Sequence, residues 1–233
     1  MKTFASLLLL SFSFLLASPA KSVEPGAHGR TQDVPTINPE QVPAEGRRPQ
    51  DFVPRRWKIG AREEGDLNGD RLPDHALQLV PEDYDSSGIS AAPEAQALLI
   101  LLSADGKLRR AGITTKLLLP NVPQYILSMF IRSGVLIIDQ NYGMTDVADI
   151  AHLLRYEPTA GRFLLIGKNT SNYHRPEGPK WPATSVSENY LVGVRLTTTD
   201  RWLSNGTNRR MTKRGRVARV RVFLEDVDVA SDH

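Results

Sequence analysis

The sequence contains no cysteine. Disulfides therefore cannot stabilise the fold, and packing or a bound ion must do so instead. A thioether-linked lipid anchor is excluded for the same reason. A large excess of one charge is also missing, because 29 Lys and Arg residues face 26 Asp and Glu residues and leave a formal net charge of +3. Such a balance gives little support to binding of nucleic acid by the chain as a whole.

Signatures of catalysis are absent as well. The sequence has no G-x-S-x-G, no H-E-x-x-H and no phosphate-binding loop. Its histidines are His28, His75, His152, His174 and His233. His152 lies in an apolar run and is interpreted as a core residue, which leaves His75 and His174 as candidate bases. A triad assembled across the fold stays open, with Asp139 and Asp146 as candidate pocket residues. We nevertheless expect a protein that is not an enzyme.

Long hydrophobic runs are missing except near the N-terminus, where Phe4–Ala17 is uncharged and apolar. Lys2 precedes this run, and the small residues Ser18 and Ala20 follow it at the −3 and −1 positions of a cleavage site. The pattern is typical of a secretory signal peptide over residues 1–20. The run is short for a membrane span, which needs about 20 residues. We therefore expect a soluble protein without membrane insertion, exported to the periplasm or secreted.

Proline and glycine are concentrated in the segment that follows. Its prolines are Pro25, Pro35, Pro39, Pro43 and Pro49. No apolar periodicity accompanies them, so residues 21–50 are predicted to form a disordered, proline-rich tether. The remaining residues, 51–233, are long enough to bury a sizeable core. They are predicted to form a single β domain.

Short apolar runs separated by turn residues predict strands rather than helices in this domain. Ala97–Leu102 is continuously apolar, as in a strand buried on both faces. Arg216–Leu224 alternates between basic and apolar residues and is predicted to be the last strand. Asp146–Leu154 has a spacing that also allows a short helix. We expect an all-β, mostly antiparallel fold, propeller-like or sandwich-like, with a strand–loop–strand calcium site.

A candidate metal site lies in the stretch GDLNGDRLPD, Gly65–Asp74. Its candidate ligands are the side-chain oxygens of Asp66, Asn68, Asp70 and Asp74 and the backbone carbonyl of Leu72. This spacing places oxygens at alternate positions of a tight loop, an arrangement that suits Ca²⁺. An EF-hand is disfavoured, because Arg71 and Leu77 stand where that loop has glycine and glutamate. The alternative is a plain Asp/Asn turn, and a bound metal is expected to be structural rather than catalytic.

The loop resembles the calcium loops between strands of FG-GAP and related bacterial β-repeat proteins. A second signature comprises Arg162, Phe163, Leu165, Ile166 and Gly167, followed by Ser187, Asn189, Tyr190, Leu191 and Gly193. Together they resemble a family of exported bacterial β proteins with an FG-GAP/VCBS-like calcium loop. One member of that family, from Xanthomonas, is a periplasmic immunity protein with a Ca²⁺ site that inhibits a secreted lysozyme-like peptidoglycan hydrolase. The resemblance implies a similar β fold with Ca²⁺ and an inhibitory function.

Candidate partner-binding residues lie in a polar loop, Asn172–Gly178. They are Tyr173, His174, Arg175 and Glu177. Glycan hydrolases carry carboxylates beside their substrate, so His174 or Arg175 is expected to meet those acids while Tyr173 stacks where a sugar would lie. We therefore expect an inhibitor that occludes the cleft of a lysozyme-like cell-wall hydrolase. The alternatives are a β module that binds glycan or cell wall, and a hydrolase with an unrecognised site.

A basic run, Arg209–Arg221, precedes the acidic residues Glu225, Asp226 and Asp228. One interpretation is the solvated face of a hairpin. The other is a docking surface for an acidic partner or for anionic cell-wall polymers. Nucleic acid is disfavoured as a ligand, because no aromatic residues are interleaved with the arginines.

Overall fold

The computed structural model describes residues 35–85, 91–174, 183–203 and 206–231, and within them the chain forms two β-sheets. The small sheet consists of β1 (Glu45–Gly46), β2 (Trp57–Gly65), β3 (Asp74–Pro81), β4 (Ala97–Ala104) and β5 (Lys107–Thr114). The large sheet consists of β6 (Ile126–Arg132), β7 (Val135–Tyr142), β8 (Asp146–Glu157), β9 (Arg162–His174), β10 (Ala183–Asn189), β11 (Val194–Trp202) and β12 (Asn208–Arg216). Short 3-10 helices cover Pro39–Gln41, Pro49–Phe52, Leu224–Asp226 and Val229–Ser231.

Both sheets are antiparallel and are built mainly from strands that follow one another in the chain. The strand order is β1-β5-β4-β3-β2 in the small sheet and β12-β11-β10-β9-β8-β7-β6 in the large sheet. The prediction of an all-β, mostly antiparallel fold is therefore confirmed. Among the described elements, no helix has the length and apolar character needed to cross a membrane.

The small sheet is buried on both of its faces. From β4, the side chains of Leu98 and Ile100 pack toward the large sheet, in a core that also contains Ile138 and Phe163. The alternate residue Leu99 packs into a second core on the opposite face. Each of these side chains is almost fully removed from solvent. This confirms the prediction that Ala97–Leu102 is a strand with two buried faces.

The second face of the small sheet is covered by the segment that precedes β2 in the chain. Ile37, Val42 and Phe52 are at most 5% exposed and belong to the second core. Prolines begin both 3-10 helices of this segment, and their fixed φ lowers the entropy lost on ordering. The predicted tether over residues 21–50 is therefore wrong for residues 35–50. Residues 21–34 and the predicted signal peptide, residues 1–20, lie outside the described residues.

The segment for which a short helix was allowed is a strand. Asp146–Leu154 lies within β8, which pairs with both β7 and β9. Alternate residues of β8 face the core, including His152 and Leu154, which are fully buried. Pairing on both edges of the strand satisfies its backbone groups and overrides the helical spacing of the apolar residues.

The predicted last strand, Arg216–Leu224, is also displaced. The last strand among the described residues is β12, Asn208–Arg216, which contains most of the basic residues. The alternating segment that follows β12 crosses the large sheet without forming a strand. There the backbone N–H of Leu165 donates to the carbonyl of Val222, at 2.9 Å, and Leu224 is fully buried in the core. Only the end of this segment therefore reaches the core, since Val220 is exposed, Val222 is partly buried and Leu224 is fully buried.

Candidate functional site

The acidic loop joins β2 to β3 and is closed by its own hydrogen bonds. The two carboxylate oxygens of Asp66 accept from the backbone N–H groups of Gly69, at 2.7 Å, and Arg71, at 3.0 Å. One oxygen of Asp70 accepts from the N–H of Leu72 at 2.7 Å, and the other accepts from the side-chain amide of Asn68 at 2.9 Å. Gly69 and Arg71 both have positive φ, so the backbone turns sharply around these carboxylates.

Asp74, the last candidate ligand, is fully buried at the start of β3. Its carboxylate accepts from the N–H of Leu67 and from the N–H of Ser103, each at 2.8 Å. Burial raises the pKa of Asp74 and outweighs these hydrogen bonds, which lower it, while the charges of Asp70 and Asp66 raise it further. Asp74 thus anchors the acidic loop to the end of β4.

The geometry of the acidic loop does not test the prediction of calcium. In the described residues, no group of three or more His, Cys, Asp or Glu side chains is arranged to hold a metal ion. The oxygens that accept from backbone N–H groups each retain a second lone pair. The residues present thus have the oxygen chemistry that Ca²⁺ prefers. The calcium site at Asp66, Asn68, Asp70, Leu72 and Asp74 stays a prediction.

Two of the four predicted partner-binding residues belong to the described part of the chain. Tyr173 and His174 form the end of β9, whereas Arg175 and Glu177 lie outside the described residues. The Tyr173 side chain is 38% exposed. His174 lies opposite Asp146 of β8, and its Nδ1 is 2.7 Å from the Asp146 carboxylate. Because successive side chains of a strand alternate, the exposed ring of Tyr173 lies on one face of the large sheet and the imidazole–carboxylate pair on the other.

β9 changes character halfway along its length. Phe163–Leu165 is buried in the core, whereas no residue from Lys168 to His174 is buried. We call Lys168–His174 the distal half of β9. It pairs with β8 on one side and with β10 on the other, so its backbone is held in a sheet although its side chains contribute little to the core. The residues at its end are thereby exposed on a rigid support.

A polar groove lies on the face of the large sheet that points away from the core. It has a volume of about 560 Å³ and crosses the strands β7 to β11. Two neighbouring rows of register partners line it: Asp139, Ala151, Asn169, Ser187 and Leu196, and then Asp149, Ser171, Ser185 and Thr198. The lining combines carboxylate, amide and hydroxyl groups, and no aromatic residue or histidine belongs to it.

The two carboxylates of the groove have different surroundings. Asp149 accepts hydrogen bonds from the amide of Asn141 and from the hydroxyl of Ser171, the latter at 2.9 Å. The carboxylate of Asp139 accepts no hydrogen bond from another described side chain or backbone group. Burial raises the pKa of Asp139, and the nearby charge of Asp149 raises it further. A donor or a cation entering the groove would find an unsatisfied carboxylate at Asp139.

The groove was not predicted from the sequence, and the pocket suggested for Asp139 and Asp146 is not formed. Asp139 lines the groove beside Asp149, whereas Asp146 pairs with His174. The only sequence signal for the groove is that polar residues alternate on each strand, as in Asn169 and Ser171. No single strand indicates which residues of the neighbouring strands stand beside them.

The remaining histidines of the described chain lie away from the groove. His152 is fully buried on the core side of β8, as expected for a core residue. His75 lies beside Arg62 and Glu64, and burial lowers the pKa of His75, with the charge of Arg62 lowering it further. Neither histidine belongs to the groove lining. No base of this type is therefore available beside Asp139 and Asp149 within the described residues.

Comparison of the chain with known proteins adds no relative. It matches no protein-family model, and no curated protein or solved structure is significantly similar to it.

Proposed function

We propose that the chain is an exported binding protein that acts on a protein partner without turnover. The observation that carries this proposal is the end of β9, which presents the exposed ring of Tyr173 on one face and the pair formed by His174 and Asp146 on the other. Functional residues are commonly presented at the ends of rigid elements in this way. Exposed tyrosine is also a residue type that is enriched among interface hot spots.

The first candidate partner is a lysozyme-like cell-wall hydrolase, blocked by occlusion of its cleft. Such enzymes hold a pair of carboxylates around the scissile bond and accommodate sugar rings on either side of it. Tyr173 would occupy the position of a sugar ring, while His174 would face the acids of the enzyme. Asp146 would hold the imidazole in place. Arg175 and Glu177 follow directly in the chain and would extend the contact.

Ca²⁺ is proposed as a structural ligand of this protein rather than as part of its binding surface. The candidate ligands Asp66, Asn68, Asp70 and Asp74, with the carbonyl of Leu72, lie in the loop between two strands of the small sheet. Asp74 already links that loop to β4. A cation would offset the mutual repulsion of the carboxylates and hold β2, β3 and β4 together at this end.

Inhibition assays with purified protein test the proposed function. Hydrolysis of peptidoglycan by a panel of lysozyme-like enzymes should fall when the protein is added. Tyr173→Ala should weaken that inhibition at least tenfold, since a central aromatic anchor contributes about 2 kcal/mol or more. Phe130→Ala is the matched control, because Phe130 is also 38% exposed but lies on the edge strand β6, three strands away from β9. Undiminished hydrolysis across the whole panel would refute the proposal.

The polar groove supports a second candidate function, binding of a glycan or of cell-wall polymer. Its hydroxyl, amide and carboxylate groups suit the hydroxyl groups of a sugar chain, although it lacks an aromatic platform for stacking. Pull-down with purified peptidoglycan in the absence of any enzyme separates this function from inhibition. Asp149→Asn with Ser171→Ala should abolish retention by the glycan and leave inhibition of hydrolases unchanged. Release of soluble fragments from the peptidoglycan would instead indicate hydrolysis at Asp139 and Asp149.

A further inference from the structure

The strands β11 and β12 form a hairpin at the edge of the large sheet, which we call the basic hairpin. Its cations are Arg195, Arg201, Arg209, Arg210, Lys213, Arg214 and Arg216, and its one acid is Asp200. The basic hairpin therefore carries a net charge of +6, although the whole chain carries +3. All nine residues of β12 are exposed. The chain thus concentrates positive charge on a thin, solvated ribbon.

Two of these cations are compensated by acids. Arg210 donates to Asp200 at 2.8 and 3.1 Å, and Arg195 lies 3.5 Å from Glu188. The other five are Arg201, Arg209, Lys213, Arg214 and Arg216, and none of them forms an ion pair with a described residue. Most of the charge on the basic hairpin is therefore available to an external anion.

Arg201 and Arg209 stand directly opposite each other in the register of the basic hairpin. Side chains at such positions have Cβ atoms about 5 Å apart, and like charges there destabilise the pairing of strands. Protection of a free sheet edge against aggregation explains cations on β12. It does not explain Arg201, which lies on the inner strand opposite another arginine. An anion between or beside the two guanidinium groups would remove this repulsion.

The cations are distributed over both faces of the basic hairpin. Alternation along the strands places Arg201, Arg209 and Lys213 on one face and Arg214 with Arg216 on the other. A folded acidic protein or a rigid polymer would contact one face and leave the other unmatched. The headgroup region of a bilayer can surround a thin ribbon and match both faces at once.

Exposed apolar side chains accompany the charge. Leu203, directly after β11, is 42% exposed, and Met211 on β12 is 57% exposed. Basic residues next to exposed apolar ones are typical of surfaces that bind anionic bilayers peripherally. From these observations we propose that the basic hairpin binds the surface of an anionic phospholipid bilayer, with its cations at the lipid phosphates and Leu203 at the apolar boundary.

Sedimentation with vesicles tests this proposal on the mature full-length protein. One vesicle preparation contains phosphatidylglycerol mixed equally with phosphatidylcholine, and the other contains phosphatidylcholine alone. The protein should sediment with the anionic vesicles at low ionic strength and be released by salt, since the attraction is screened. Arg201→Gln with Arg209→Gln should reduce partitioning about fivefold for each cation removed. Leu203→Ser should reduce it further at constant charge.

The matched control lies on the hairpin formed by β4 and β5. Lys107→Gln with Arg109→Gln removes the same charge, but there both cations are paired with Glu45. This control should sediment like the wild type, and circular dichroism should show that all variants remain folded.

Equal loss in the two double variants would mean that net charge alone drives binding and would overturn the proposal. Failure to sediment with anionic vesicles, or capture by poly-glutamate without capture by vesicles, would overturn it too. Because inhibition is assigned to Tyr173 at the end of β9, the vesicle assay and the inhibition assay can fail independently.

Discussion

The two sheets differ in what surrounds their strands. In the small sheet, every residue of β4 from Ala97 to Leu102 is buried between two apolar cores. In the large sheet, all nine residues of β12 are exposed at a free edge. The backbone is paired in antiparallel fashion in both cases, so hydrogen bonding does not distinguish them. The difference concentrates stability in the small sheet and in the strands of the large sheet that share its core, and leaves the far strands of the large sheet available for contacts.

The same contrast occurs within a single strand of the large sheet. Phe163–Leu165 at the start of β9 is buried, whereas Lys168–His174 contains no buried residue. The buried half fixes the position and direction of the strand, and the distal half carries polar side chains and Tyr173. Changes in the first half should therefore lower the free energy of unfolding, and changes in the second half should alter binding alone.

The largest effect is expected from truncation of a side chain in the centre of the small sheet. Leu99 is fully buried against the N-terminal segment, so Leu99→Ala should lower the free energy of unfolding by about 3 kcal/mol. Leu196→Ala is the control in the large sheet, where Leu196 is 39% exposed, and it should cost less than about 1 kcal/mol. Urea denaturation measures both. Similar losses in the two variants would contradict the division of roles between the sheets.

Ca²⁺ should increase the difference in stability between the small sheet and the far strands of the large sheet, because its predicted site lies in the small sheet. At about 100 times its dissociation constant, a ligand that binds only the folded state adds about 2.7 kcal/mol to the free energy of unfolding. Thermal denaturation should show a higher melting temperature with Ca²⁺ and a lower one with EDTA. Asp66→Ala with Asp70→Ala should abolish this response, whereas Asp105→Ala, at an exposed turn of the same sheet, should retain it. A melting temperature that does not change when Ca²⁺ or EDTA is added would contradict the predicted calcium site.

Asp74 should contribute to stability even without a metal. Its two oxygens accept from Leu67 and Ser103, and Asp74→Asn replaces one acceptor by an amide group that would face a backbone donor. Leaving a buried donor unsatisfied costs about 1–3 kcal/mol. Removal of the desolvated charge offsets part of this cost, so we expect a net loss of about 1 kcal/mol in chelated buffer. Asp83→Asn, at an exposed position, is the control for the loss of a negative charge. If both variants unfold at the same denaturant concentration, Asp74 does not anchor the loop.

The strand β4 is predicted correctly from the sequence, and the order of the segment before β1 is not. In both cases the outcome depends on whether the apolar residues are adjacent in the sequence. Burial of Ala97–Leu102 can be predicted from the run itself, because every residue in it is apolar. Ile37 and Val42 are separated by polar residues and Pro39, so no local period identifies them as core residues. Their burial depends on the second face of the small sheet, which is formed by residues far along the chain. Only the folded structure supplies that surface.

The groove illustrates a further limit of sequence reasoning. Asp139 and Thr198 belong to strands that are separated by three others in the sheet, and they share a groove because of the register of four strand pairs. A slip of one residue in any pair would turn one strand's lining residues toward the core. Likewise, β12 has no apolar alternation to reveal it, since both of its faces are in solvent. Polar strands are thus recognised from their partners rather than from their own sequence.

The smallest expected effect concerns the groove on the exposed sheet and depends on pH. Because folding raises the pKa of Asp139, the folded protein binds this proton more tightly than the unfolded chain does. The contribution to stability is thus fully present below the unfolded pKa, near 3.8, and is lost as pH rises through the folded value.

Asp139→Asn removes this loss, so the variant should be slightly more stable than the wild type at neutral pH. The difference should shrink as the pH is lowered toward 4, when measured by urea denaturation. A difference that stays constant with pH would mean that Asp139 ionises as freely as an exposed carboxyl. The groove would then be a solvated surface like the strands around it, rather than a partly desolvated site for a cation or a hydrogen-bond donor.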